Sequence, residues 1–168
     1  DPGHALEFVG LGLKFARAVK AMGATVRARQ RTADVAKVMP KILQRNFENG
    51  FSEQQGGICK LFDLETRKAV NADRPWWSLP ETCRAPLACG MSTAGLEDRR
   101  ELLDVFRKCH NAFLSHYVRP ELHLTSVQTR DGEGKAVDIV PATADADPGY
   151  HTGLSLLDCI DMINRSQP

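Results

Sequence analysis

Two short stretches carry residues whose types and spacing suit proton chemistry. The first, Asp1-Pro2-Gly3-His4-Ala5-Leu6-Glu7-Phe8, sets an imidazole and a carboxylate three residues apart where a helical pattern begins. Side chains at that spacing share one helix face, so both can act on one ligand. The positive end of the helix dipole favours a neutral imidazole there, the form a general base needs at pH 7. The second stretch, Asp147-Pro148-Gly149-Tyr150-His151, repeats Asp-Pro-Gly ahead of a histidine and another apolar, helix-patterned segment, with Asp147 as its cap. Two neutral histidines at two helix starts could remove and return protons on one substrate. The plainer reading is that Asp-Pro-Gly is ordinary turn and helix-start chemistry and that His4 is only a polar residue in a cap.

Trp76-Trp77 precedes Glu81 at a spacing that sets the second indole one helical turn from the carboxylate. An aromatic face beside a carboxylate suits a sugar, whose C–H face stacks while its hydroxyls bond to the acid. Core packing competes with this reading, since tryptophans bury large area in any fold. His110, His116 and His123 lack the spacing of a zinc motif, so no metal site is expected and packing or surface roles are their default.

These residues need helices to position them. Asp1 is a good N-cap and Pro2 fits the first helical position, and Leu6, Val9, Leu13 and Ala16 recur at helical spacing until Gly23. Phe8, Leu11, Phe15, Val19 and Met22 make this helix apolar on more than one face, which predicts that it lies between other elements. Beyond a short basic loop, Thr32 is expected to cap a second helix through Phe47, with Pro40 inside it and Gly50 as its stop. Ile58 to Phe62 and Lys68 to Val70 flank a polar turn and read as a β-hairpin inserted between helices. Pro80 and Glu81 open a third helix ended by Gly95, and Leu96 to Val118 forms a fourth, whose stretch from Glu97 to Lys108 reads as a solvated face. A polar stretch from Thr129 to Asp147, strand-like only over Val137 to Val140, leads to a last helix at about His151 to Asn164. About five helices in antiparallel pairs predict an all-α domain, either a bundle or an α/α toroid, decorated by short β-hairpins in its loops.

Composition narrows the partners. The chain of 168 residues is one domain in length, and its 22 basic against 21 acidic residues give no electrostatic case for nucleic acid. No apolar run approaches the roughly 18 residues of a membrane span. Five cysteines without CxxC spacing, mostly inside apolar segments, read as buried thiols in a reducing compartment, hence a cytoplasmic location. A small-molecule ligand fits best, with neither nucleic acid nor membrane as partner. The chain opens directly on a helix start without an initiator methionine, so preceding segments are expected.

Taken together, Pro2-Gly3-His4 with Glu7, Trp76-Trp77 with Glu81, and Tyr150-His151 resemble the N-acylglucosamine 2-epimerase family, which includes mannose isomerases and cellobiose 2-epimerases. Its PGHxxEW-like motif matches at Pro2, Gly3, His4 and Glu7, with Phe8 where Trp is usual. Its WWxxxE-like motif matches at Trp76, Trp77 and Glu81. Where the family commonly continues His-Val-Pro-Arg, this chain reads His151-Thr152-Gly153-Leu154.

The resemblance implies that residues 1–168 form the C-terminal half of an (α/α)6 barrel, completed by a missing half or paired as a homodimer. It implies a carbohydrate isomerase or epimerase that moves a proton at C2 of an open-chain aldose through an enediolate. His4 and His151 would be the acid/base pair, with Glu7, Trp77 and Glu81 lining the sugar pocket and no cofactor required. The alternatives are a six-hairpin glycoside hydrolase using Glu7, Glu81 or an aspartate of the Asp145 and Asp147 loop, and a non-catalytic carbohydrate-binding module.

Overall fold

The computed structural model describes residues 1–91, 96–123, 126–137 and 150–166. These form a mostly helical fold of five α-helices with small antiparallel strand pairs in the connections. Helix α1 (Pro2–Ala21) starts as its first residues dictate: the Asp1 side chain accepts from the His4 backbone N–H and Pro2 occupies the first turn. It ends where Gly23 takes φ +67°, a left-handed conformation that costs glycine nothing. Leu6, Val9 and Leu13 form its buried stripe, packed against α2 (Val26–Gly50) and α3 (Ser78–Gly90). Phe8, Phe15 and Met22 are exposed on another face, so α1 is covered on fewer sides than its pattern predicted.

Helix α2 begins at Val26 under a Thr25 cap, not at Thr32. The expected basic loop is helical because Arg and Gln are good helix formers and Arg27, Arg29 and Arg31 all reach solvent. The Thr32 hydroxyl bonds back to the Ala28 and Arg29 carbonyls instead. Gly50 closes the helix for a reason of space: a Cβ there would stand 2.7 Å from Pro2 Cβ, so its lack of a side chain lets the end of α2 meet the start of α1.

Three two-stranded ladders follow. Strand β1 (Phe51–Ser52) pairs with β2 (Gly57–Ile58), and β3 (Leu61–Asp63) with β4 (Lys68–Asn71); the hairpin expected from Ile58 thus begins at Leu61, because Ile58 pairs back to Phe51. Strand β5 (Arg74–Pro75) pairs with the distant β6 (Thr129–Arg130), a ladder too short to leave a sequence signal.

Helix α3 is the centre of the fold. It packs on α1, α2, α4 (Leu96–His116) and α5 (Ser155–Arg165). Leu79, Cys83, Ala85, Ala88 and Cys89 join the core, and so do the polar Glu81, Thr82 and Arg84. It starts two residues before Pro80 and its last residue is Gly90; the predicted stop at Gly95 lies outside the described residues. Helix α4 ends at His116, two residues before the predicted end at Val118. Helix α5 is preceded by a turn of π-helix, Tyr150–Leu154, where a regular helix from His151 was predicted. Asp147, as expected cap, and positions 138–140 of the strand-like piece lie outside the described residues. All five cysteines are buried free thiols.

Candidate active site

Four segments converge on the Trp77 indole: the first turn of α1, the β2–β3 junction, the start of α3 and the π turn before α5. Trp77 is held by what flanks it. The Trp76 N–H donates to the Gln128 carbonyl at 2.8 Å, and Ser78 Oγ donates to the Pro75 carbonyl at 2.8 Å. Gly3 lets the ring lie close, since a Cβ at that position would be 3.0 Å from the indole edge.

The His4 imidazole lies against the indole at 4.7 Å between ring centroids, and His151 lies against it at 5.2 Å. The two histidine rings are therefore no more than about 10 Å apart, close enough to serve one sugar. The structure thus brings together all five residues singled out in the sequence.

Each imidazole has its own carboxylate. His4 Nδ1 is 2.7 Å from Asp1 Oδ2, and His151 Nδ1 is 3.1 Å from Glu81 Oε1. An ionised carboxylate can only accept, so a neutral ring facing one carries its proton on Nδ1 and its lone pair on Nε2. Asp1, expected only as a cap, is thus also the partner of the histidine that it caps. Lys60, between β2 and β3, adds a cation: Nζ is 3.3 Å from Asp1 Oδ2 and 5.4 Å from the Trp77 ring centroid. Nothing near Lys60 in sequence announces this position. Its backbone N–H bonds to the Asp73 carbonyl at 2.7 Å, so the β3–β4 hairpin carries it to the site.

Glu81 has no exposed surface. Oε1 faces His151 and Oε2 accepts from Arg84 Nη2, so both carboxylate oxygens have a protein partner. Burial pushes its pKa above the usual carboxylate value, while Arg84 and His151 oppose that rise and Glu7 adds to it. Trp77, 8% exposed, is mostly a packing surface between the histidines.

Glu7, Glu81 and His151 each offer a donor atom within 4.8 Å of the others, the one such group that could hold a metal ion among the described residues. Arg84 already matches the Glu81 charge, and a cation there would compete with it and with the His151 Nδ1 contact. His110, His116 and His123 join no such group among the described residues. His110 stacks on Phe106, and burial with Arg130 and Arg119 nearby depresses the pKa of His116. Asp145 and Asp147 lie outside the described residues. Two hollows, of about 610 Å³ between α2 and α4 and about 700 Å³ along α1 and α2, are lined by none of Asp1, His4, Glu7, Glu81 and His151.

Residues 1–146 match the family model of the N-acylglucosamine 2-epimerases (GlcNAc 2-epimerase). The chain belongs to that family, a class of sugar epimerases acting on small-molecule sugars. The match includes Asp1, His4, Glu7, Lys60, Trp77, Glu81 and Arg84 and stops before His151. No curated protein matches the chain. No helix among the described residues is long and apolar enough to cross a membrane.

Proposed function

We propose that the protein is a sugar isomerase or 2-epimerase in which His4 and His151 exchange protons with an open-chain aldose. The observation that carries this reading is the pair of carboxylate-held imidazoles on one indole. The carbonyl of the open sugar acidifies the C2 proton. One Nε2 removes it, the electron pair moves into the C1–C2 bond, and the carbonyl electrons pass to oxygen, giving an enediolate. Return of a proton to C2 on the opposite face yields the epimer; passage of the O2 proton to O1 with return of a proton to C1 yields the ketose. Lys60 is placed to stabilise charge developing on the enediolate oxygens. Glu7 faces the same space and supplies an acceptor for a sugar hydroxyl.

The glycoside hydrolase reading needs two carboxyl groups working directly on the sugar. Glu81 is enclosed and doubly bonded, and the Asp1 carboxylate is engaged by His4 and Lys60, which argues against either as a second carboxyl group acting with Glu7. We also read the five helices as part of an (α/α)6 barrel. The exposed Phe8, Phe15 and Met22 on α1, and Leu157 and Ile160 on α5, are the faces that further helices or a second copy would cover.

Incubation of the full chain with mannose and other aldoses in heavy water tests the function. Deuterium is expected at C2 of the epimer or C1 of the ketose, and His4→Ala abolishes it; exchange with none of the sugars would refute the reading.

A further inference from the structure

The Glu81–His151 pair is the inner end of a longer chain of charges. Beyond Glu81, Arg84 donates through Nη1 to Asp158 Oδ2 at 3.1 Å. Asp158 in turn accepts from Lys14 Nζ at 2.7 and 2.9 Å. The chain joins α1, α3, α5 and the π turn, and Arg84, 1% exposed, lies at its middle. Helix α1 is shaped around it: a Cβ on Gly10 would stand 2.9 Å from Arg84 Nε and 3.1 Å from Cγ. A guanidinium so enclosed, one residue removed from a proton-exchanging histidine, plays no direct part in the chemistry proposed above.

Its effect follows from the acceptor rule for carboxylates. Ionised Glu81 can only accept, so it holds the ring proton of His151 on Nδ1 and leaves the lone pair on Nε2. A neutral Glu81 carboxyl can donate its own proton to Nδ1, and the ring proton then belongs on Nε2. The pair inverts with one proton added from solvent and no other change in composition. His151 would present an N–H where it had presented a lone pair, able to give a proton and unable to take one there.

We propose that Arg84 is a positioning residue for His151: by bonding Glu81 Oε2 it keeps that carboxyl ionised, which holds the His151 proton on Nδ1. The catalytic consequence rests on the isomerase reading; the tautomer itself does not. Among the described residues the titratable groups around Glu81 are Arg84, His151, Glu7 and the Cys159 thiol, and of these Arg84 favours the ionised carboxyl most. Enclosure alone would protonate the carboxyl more readily.

The test compares Arg84→Met, Arg84→Gln and Arg84→Lys with the parent chain. Nitrogen-15 NMR of the histidine rings at neutral pH reads the tautomer, and deuterium exchange into sugar reads the rate. The parent is expected to show His151 protonated on Nδ1. Arg84→Met is expected to show it on Nε2, with exchange slowed about 100-fold, the scale of a lost general acid or base. Arg84→Lys keeps the charge and is expected to keep both the tautomer and most of the rate. Where Arg84→Met does not fold, Arg84→Gln, which fills the position with a neutral polar group, is expected to give the same inversion. Retention of the Nδ1 proton in a folded neutral variant overturns the proposal, as does inversion in Arg84→Lys. Tautomer inversion in a protein that exchanges deuterium with no aldose supports the role of Arg84 and refutes the isomerase reading.

Discussion

The two carboxylate–imidazole pairs are alike in chemistry and opposite in construction. Asp1 and His4 are three residues apart on one helix turn, and the His4 side chain is 59% exposed. Glu81 and His151 are separated by 70 positions, and Glu81 is sealed beneath its histidine with Arg84 behind it. The first pair is made by local geometry and stands in solvent beside a lysine. The second exists only because α3 and the π turn before α5 pack together, and its charge must be matched inside the protein. A surface pair contributes little energy and can be altered cheaply, whereas a buried one is costly to leave half-made.

Four substitutions would break or sharpen this contrast. Arg84→Met leaves Glu81 and Asp158 facing an apolar side chain, and loss of one partner of a buried pair costs about 3–5 kcal/mol. For a chain of this size that lowers the melting temperature by roughly 10 °C, measured by calorimetry. Asp1→Ala removes the cap of α1 along with the partner of His4, and is expected to cost about 1 kcal/mol by urea unfolding. A loss as large as that of Arg84→Met would erase the distinction between the pairs.

The smallest effect concerns acid dependence. Burial raises the folded Glu81 pKa above its ordinary value of 4.5, so between the unfolded and folded values the folded chain holds a proton that the unfolded chain has released. The stability this confers is complete below the unfolded value and is lost as pH rises through the folded one. Glu81→Gln should remove that decline from a series of urea midpoints across the interval, while Asp1→Asn should leave it in place.

What could be read in the sequence follows the same division. The start of α1, with its cap, its proline and the shared face of His4 and Glu7, involves contacts within one helical turn, and so does the β3–β4 hairpin. The start of α2 is hidden in the sequence because Arg27 to Arg31 are polar enough to pass for a loop, although their propensity extends the helix back to Val26. Arg84 was overlooked although its spacing from Glu81 matches that of His4 and Glu7. An arginine three residues from a glutamate usually marks a solvated face, and nothing in the sequence showed that this one is enclosed. Lys60 and the β5–β6 ladder left no local trace, because their partners are remote in the chain.

By itself, then, the sequence determined the helical class, the chemistry of the first turn and the family to which the chain belongs, since caps, spacings and motifs act over a few residues. Tertiary structure alone decided that Lys60 joins Asp1 and His4, and that Glu81 turns inward to His151 and Arg84. Those contacts depend on α3 lying at the centre of the fold, where four other helices close around its polar side chains and leave each of them only the partner that packing brings.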